Sequence, residues 1–301
     1  MLTAQKLKIL FDQGENISAI LRKEIGVDKN TREIIEIAYD LQSGSYVSAM
    51  NDPSMRAHKN EYTQEITKVI RAYCDPKSIL EAGVGEATTF AGVIGALNSN
   101  VASYGFDLSW SRIAVARRYL KSQGIINATL CTGDLLNMPF FDDSIDVVYT
   151  SHSIEPNGGR EDVILRELYR VAKKYLILLE PGYELASTEA RHRMDSHGYC
   201  KDLSGHALRL GYEVLEHRLF SCCANPMNPT AVTIIKKKAG IHKETGVLAC
   251  PRHKSILKKI EGSFFSPEAL MVYPIVGGIP CLRIENGIFA SQFGEDIGLD
   301  S

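Results

Sequence analysis

The chain has 301 residues, 45% of them hydrophobic and 23% charged, with a formal net charge of -2. That length allows one large domain with an appendage or two small ones, and the charge excludes the global basic field of a nucleic-acid-binding chain. No run approaches the roughly 18 apolar residues of a membrane span and no apolar leader opens the chain, while seven scattered cysteines suit reduced thiols rather than a disulfide framework; the expectation is a soluble cytoplasmic protein.

Residues 1–59 are polar and helix-prone, with amphipathic pieces at 16–21 and 31–39, and read as a helical cap or lid. Tyr46, Arg56 and Tyr62 can reach a pocket beneath it, although ordinary half-buried packing accounts equally well for Tyr46. Tyr62, Ile66, Val69, Ile70 and Tyr73 recur at helical spacing and predict a helix packed on a sheet.

From Ser78 onward strands and helices alternate, which is the pattern of right-handed βαβ units and a parallel sheet covered on both faces. Ser78-Ile79-Leu80 predicts the first strand, Glu81-Ala82-Gly83-Val84-Gly85 the turn after it, and 86–97 the next helix. Glycine suits that turn because the backbone must reverse tightly and come close to a ligand. A dinucleotide fingerprint would put Gly or Ala three positions after Gly85, where Thr88 stands, and here an acid, Glu81, precedes the glycines. The spacing leans away from a pyrophosphate cofactor.

A second strand ends at Gly105-Phe106-Asp107-Leu108-Ser109, and Ser109 caps a helix over 110–120. A third ends at Thr132-Gly133-Asp134-Leu135, and a fourth runs from Asp146 to Ser151. Ile164, Leu168, Val171 and Ala172 mark the buried stripe of a helix before a fifth strand at 175–179. Two more helices and closing strands at 212–220 and 231–236 bring the count to seven. Asp107 and Asp134 as simple helix caps remain the alternative to a ligand role.

In this order the pieces resemble the class I S-adenosylmethionine-dependent methyltransferases over about residues 60–237. The resemblance implies an α/β fold with a seven-stranded Rossmann-like methyltransferase sheet, to which the N-terminal helical cap and a small β-rich C-terminal domain are expected to be appended. It implies Glu81, Gly83 and Gly85 around the methionine end of the cofactor, Asp107 on the ribose hydroxyls, and Asp134 on the adenine amino group with the Leu135 amide on the ring. Leu108 and Ser151, at the ends of the second and fourth strands, complete the expected cofactor set.

A domain boundary is expected at 237/238, in Lys236-Lys237-Lys238-Ala239-Gly240, leaving 238–301 as the last domain. There, Cys250-Pro251-Arg252-His253 followed by Tyr273-Pro274-Ile275 and Gly278-Ile279-Pro280 resembles the zinc-ribbon-like module of the activator subunit of certain RNA and protein methyltransferases. The second cysteine pair of that pattern falls on Ser266 and Ala269. One Cys and one His cannot close a tetrahedral site, so no metal is expected. Cys222-Cys223 reads as strand packing.

For the acceptor, the loops after the fourth and fifth strands are unusually polar, Ser151-His152-Ser153-Ile154-Glu155-Pro156-Asn157 and Glu180-Pro181-Gly182-Tyr183-Glu184. His152 and Glu155 are the first choices to orient or deprotonate an acceptor, with Glu180 and Tyr183 beside them, against the alternatives of loop stabilisation and helix capping. Tyr46, Asn157, Arg191, His197 and Asn228 are candidate substrate contacts, with Arg193 and Asn225 near them. The expected function is methylation of a small or medium polar metabolite, a sugar or sugar-nucleotide as first guess, with no membrane or nucleic-acid partner and a homodimer left open. The alternatives are an RNA or protein methyltransferase that docks through the C-terminal domain, and a non-catalytic module that binds the cofactor.

Overall fold

The computed structural model describes residues 2–97, 99–238, 240 and 246–296; Ala239, in the expected boundary stretch, lies outside them. Five helices precede the first strand: α1 (Ala4–Asp12), α2 (Ile17–Ile25), α3 (Arg32–Leu41), α4 (Ser45–Ala49) and α5 (Pro53–Tyr73). The first three begin where Thr3, Asn16 and Thr31 accept a hydrogen bond from an amide three residues on, satisfying a donor that the helix leaves free. Leu7, Ile17, Leu21 and Ile34 give this cap a small core of its own. Along α5, Tyr62, Ile66, Val69 and Ile70 turn inward at helical spacing and bury against the sheet.

The sheet contains β1 (Ser78–Ala82), β2 (Ala102–Asp107), β3 (Thr129–Thr132), β4 (Ile145–Ser151), β5 (Ala172–Pro181), β6 (Glu213–Leu219) and β7 (Thr230–Lys236), in the order β3-β2-β1-β4-β5-β7-β6. Its flanking helices are α6 (Thr88–Ala96), α7 (Trp110–Ser122), α8 (Glu161–Val171), α9 (Thr188–His197) and α10 (Leu203–Arg209). Strands β3 through β5 are parallel, and β7 returns antiparallel between β5 and β6. All of β4 up to Thr150 and all of β7 up to Ile235 are buried, which is why both read as nearly continuous apolar runs. The strand order reverses between β1 and β4, and such a switch opens a crevice at the carboxyl ends of the strands.

Three boundaries differ from expectation. Helix α6 starts at Thr88 rather than 86, because Gly85 and Ala87 both adopt left-handed backbone (φ +55° and +62°) and the turn must finish first. Strand β5 extends to ten residues, well beyond 175–179. Strand β6 ends at Leu219, so Cys222 and Cys223 lie in the loop to β7 and not in a strand. Pro226 and Pro229 in that loop lack the N–H that a ladder needs.

The C-terminal segment forms a second, antiparallel sheet from β8 (Lys258–Ile260), β9 (Ser263–Ser266), β10 (Met271–Val276), β11 (Ile279–Pro280) and β12 (Ile288–Phe289). Cys250, Met271, Tyr273 and Leu282 bury into the same apolar cluster as Leu80, Phe106 and Phe140, so the two sheets share a core. The Leu282 amide donates to the Thr132 carbonyl at 3.2 Å. Cys250 is buried with its sulfur 3.5 Å from the Tyr273 hydroxyl, whereas His253 is exposed. Arg283 pairs with Glu36 of α3 and donates to the Leu108 carbonyl at 3.1 Å, tying this segment to the cap and to the end of β2. Among the described residues, no helix is long and apolar enough to cross a membrane.

Candidate functional site

The crevice at the switch point is a cavity of about 360 Å³. Its floor is the turn after β1. A Cβ on Gly83 (φ +78°) would lie 2.2 Å from the Ser153 Cβ, and one on Gly85 would lie 2.6 Å from the Arg112 guanidinium. Only glycine fits where the turn passes under the loop after β4 in left-handed backbone. At the end of β2, Asp107 is buried; its Oδ2 accepts the Gly85 amide and its Oδ1 the Ser109 amide, each at 2.9 Å. The second glycine and the carboxylate therefore hold each other in register.

Glu81 is buried beneath the turn, where the Tyr149 hydroxyl donates to its Oε2 at 2.5 Å. Burial disfavours its charged form and pushes its pKa up to about 8. Across the cavity, Asp134 accepts the Leu136 amide at 2.9 Å on Oδ1 and Arg32 of α3 at 3.0 Å on Oδ2. Leu108 and Leu135 line the same space, and Ser151 Oγ lies 3.0 Å from the Tyr62 hydroxyl.

At the opposite end, the loop after β4 winds round Glu180, whose buried carboxylate accepts the amides of Ser153, Ile154 and Glu155 at 3.0, 3.2 and 3.0 Å. Burial raises its pKa to about 7. This loop presents His152, in left-handed backbone at φ +56°, with Nδ1 2.6 Å from Glu155 Oε2 and Nε2 2.8 Å from Thr230 Oγ1. Burial alone would lower the histidine, but the hydrogen bond and charge of Glu155 outweigh it and the imidazole stands above its ordinary value. For Glu155, burial raises the pKa and the bond and charge of His152 bring it below the ordinary value. Each partner thus favours the charged form of the other. Asn228 donates to Glu155 Oε2 at 3.1 Å, leaving its own buried Oδ1 without a partner, and Asn157 donates to the Ser153 carbonyl at 3.2 Å.

The cap forms the remaining wall. The Glu86 carboxylate accepts the Gly44 and Val47 amides at 2.9 and 2.8 Å, docking α4, while the Arg112 guanidinium sits 5.1 Å from both the Tyr39 and Tyr46 rings.

Of the residues singled out from sequence, all eight of the expected cofactor set (Glu81, Gly83, Gly85, Asp107, Leu108, Asp134, Leu135 and Ser151) line this cavity, as do His152, Glu155, Tyr46, Asn157 and Asn228. Glu180, Tyr183, Arg191 and His197 do not line it. Glu180 lies underneath the loop, and the Tyr183 hydroxyl donates to Asp195 at 3.1 Å. Arg191 donates to the Glu184 and Ala186 carbonyls, and His197 Nδ1 lies 2.8 Å from the Arg193 carbonyl. Arg32, Tyr39, Lys59, Arg112 and Thr230 also line the cavity, and sequence reasoning missed them. They come from the cap, α5, α7 and the start of β7, and no local motif announces them; the faint signal was the position of Arg112 three residues after the Ser109 cap.

Residues 79–175 match the methyltransferase-domain family. Among solved structures, magnesium protoporphyrin IX methyltransferase from Synechocystis PCC 6803 with bound SAH is similar at 13% identity and a TM-score of 0.52, covering 69% of this chain and 100% of that one. The same enzyme with bound SAM gives 14% identity and a TM-score of 0.51, over 69% and 98% of the two chains. The likeness to those structures is one of fold, and the family match falls on the strands that carry the glycine turn and both carboxylates. The chain carries a class I S-adenosylmethionine-dependent methyltransferase domain.

Proposed function

We propose that this protein transfers the methyl group of S-adenosylmethionine to a hydroxyl of a small or medium polar metabolite, a sugar or sugar-nucleotide being the best chemical fit. The observation that carries the reading is that the glycine turn with its two carboxylates and the His152, Glu155 and Thr230 wall face one cavity.

The donor set suits the cofactor. A ribose diol and an exocyclic amine are hydrogen-bond donors, and Asp107 and Asp134 are acceptors at neighbouring strand ends. Gly83 and Gly85 keep the turn free of side-chain bulk where the methionine end would lie, and Glu81 would meet its cationic groups. Leu108, Leu135 and Ser151 would line the adenine and methyl ends. When bound, the cofactor supplies an electrophilic methyl group on a sulfonium.

The chain's own residues align the acceptor and exclude water. Asn228 and Thr230, which both line the cavity, would hydrogen-bond the acceptor's hydroxyls. In its neutral form, His152 Nε2 takes the proton of the attacking hydroxyl through the Thr230 hydroxyl, and Glu155 stabilises the imidazolium that results. Glu180 acts by positioning, since it fixes the loop without reaching the cavity. Tyr46 and Asn157 shape the acceptor end, whereas Tyr183, Arg191 and His197 serve the fold around it.

The docked cap favours a small acceptor over an RNA or protein chain, because α4 and the Tyr39 and Tyr46 rings close the wall that a macromolecule would have to approach. The cytoplasm is the proposed location. The segment 238–301 is proposed as a stabilising or dimerising module appended to the cap (1–59) and the methyltransferase domain (60–237); its likeness to a zinc-ribbon-like module rests on sequence pattern alone. Formation of S-adenosylhomocysteine with a pool of sugars and sugar-nucleotides, and not with RNA or protein fractions, is the expected result. Turnover with RNA or protein alone would overturn the acceptor class.

A further inference from the structure

We propose that His58, Glu61 and Cys222 form a binding site for a divalent transition metal of the zinc type at the rim of the main cavity. His58 and Glu61 stand three residues apart on α5 and so share a face, while Cys222 arrives from the loop between β6 and β7. One ligand atom from each, an imidazole nitrogen, a carboxylate oxygen and a thiol sulfur, lies within 4.8 Å of the other two.

The spacing is that of a coordination sphere. Zinc–sulfur and zinc–nitrogen bonds of about 2.3 and 2.0 Å at a tetrahedral angle put the two ligand atoms about 3.5 Å apart. Cys222 Sγ lies 3.7 Å from His58 Nδ1. A thiol–imidazole hydrogen bond accounts for that one distance but not for the convergence of the Glu61 carboxylate on the same point. The loop is also fastened to α5 one residue earlier, where the Ser221 hydroxyl donates to Glu65 at 3.4 Å, so a second carboxylate adds negative charge nearby.

The mixture of donors decides the class of ion. Magnesium and calcium take oxygen ligands, whereas a thiolate with an imidazole and one carboxylate suits zinc and its neighbours in the first transition row. Three protein ligands leave a fourth position open, the arrangement of a reactive rather than a purely structural site. His58 and Cys222 both line the cavity and Glu61 is exposed, so the open position can take a water molecule or a heteroatom of a molecule in the cavity. This site is separate from Cys250 and His253, and it stands independently of the acceptor proposed above.

The test uses the untagged full chain, stripped with a chelator and titrated with Co²⁺ and with Zn²⁺. The expected result is one ion per chain, with a thiolate-to-cobalt charge-transfer band and the intense visible bands of a tetrahedral site. Cys222→Ser should abolish the charge-transfer band, and Cys223→Ser should leave it unchanged. Because Glu61 is exposed, Glu61→Gln keeps the fold; it should retain the band and weaken Co²⁺ binding at least as much as the roughly 10-fold to 100-fold cost of an outer-shell change. Thermal melts of the metal-free variants report folding without reference to cofactor or acceptor. Absence of the band in the wild-type chain, its persistence in Cys222→Ser, its loss in Cys250→Ser, or unchanged affinity in Glu61→Gln would each overturn the site.

Discussion

Glu155 Oε2 lies 2.6 Å from His152 Nδ1, and each residue shifts the other toward its charged form. The raised histidine contributes its full share of stability below the ordinary pKa near 6.5, a share lost as pH rises through the folded value. The lowered glutamate contributes fully above about 4.3, a share lost as pH falls through its folded value. The pair is therefore worth most between roughly pH 4.5 and 6.5. Glu155→Gln should cost about 2 kcal/mol in that window, the scale of a hydrogen bond to a charged group. It should also move the rising limb of the rate–pH profile to lower pH, because the histidine loses the partner that raised it. Thermal melts and rate profiles against pH measure the two effects, and a limb that stays in place removes His152 from proton transfer.

Asp107→Ala should weaken binding of S-adenosylhomocysteine by at least 100-fold. Two hydrogen bonds to a charged group are worth about 1.5–3 kcal/mol each, and the change also releases the Gly85 and Ser109 amides. Calorimetric titration reads the affinity directly; an unaltered value would remove the ribose role from this residue.

Glu81, with its pKa raised to about 8 by burial, is mostly protonated at pH 7. A cation bound beside it would favour the carboxylate and expel that proton. Binding of S-adenosylmethionine at pH 7 should accordingly release close to one proton, seen as a dependence of the binding enthalpy on the ionisation enthalpy of the buffer. Glu81→Gln should show no such dependence, and a wild-type chain lacking it would place the methionine end elsewhere.

Gly83→Ala forces a methyl group to within 2.2 Å of the Ser153 Cβ and into left-handed backbone. The backbone alone costs about 1–2 kcal/mol. Adding Ser153→Gly removes the clash but not the backbone cost, so the double variant should recover part of the lost stability and cofactor affinity. Full additivity of the two losses in denaturant melts would mean that the contact does not control the turn.

Much of the fold was legible in order along the chain. The alternation of buried strands and amphipathic helices after Ser78 reports backbone periodicity, which local hydropathy carries directly, and the seven strands lie where that pattern put them. The glycine turn, Asp107 and Asp134 were legible too, because each stands at a strand end whose position periodicity already located. The second half of the site was legible only in part. His152 and Glu155 could be named from their loop, but their coupling to Thr230 and Asn228 spans more than 70 residues of chain.

What the sequence determined by itself was the α/β alternation and the turn chemistry at each strand end, since both follow from forces acting within a few residues. The tertiary structure alone decided which side chains face the cavity. Arg191 and His197 look like substrate contacts in sequence and spend their hydrogen bonds on nearby carbonyls, whereas Arg112, Arg32 and Thr230 look unremarkable and form the wall. Helix docking and the β6–β7 loop bring those distant residues together, and burial then sets their charge, a quantity that no local stretch of sequence contains.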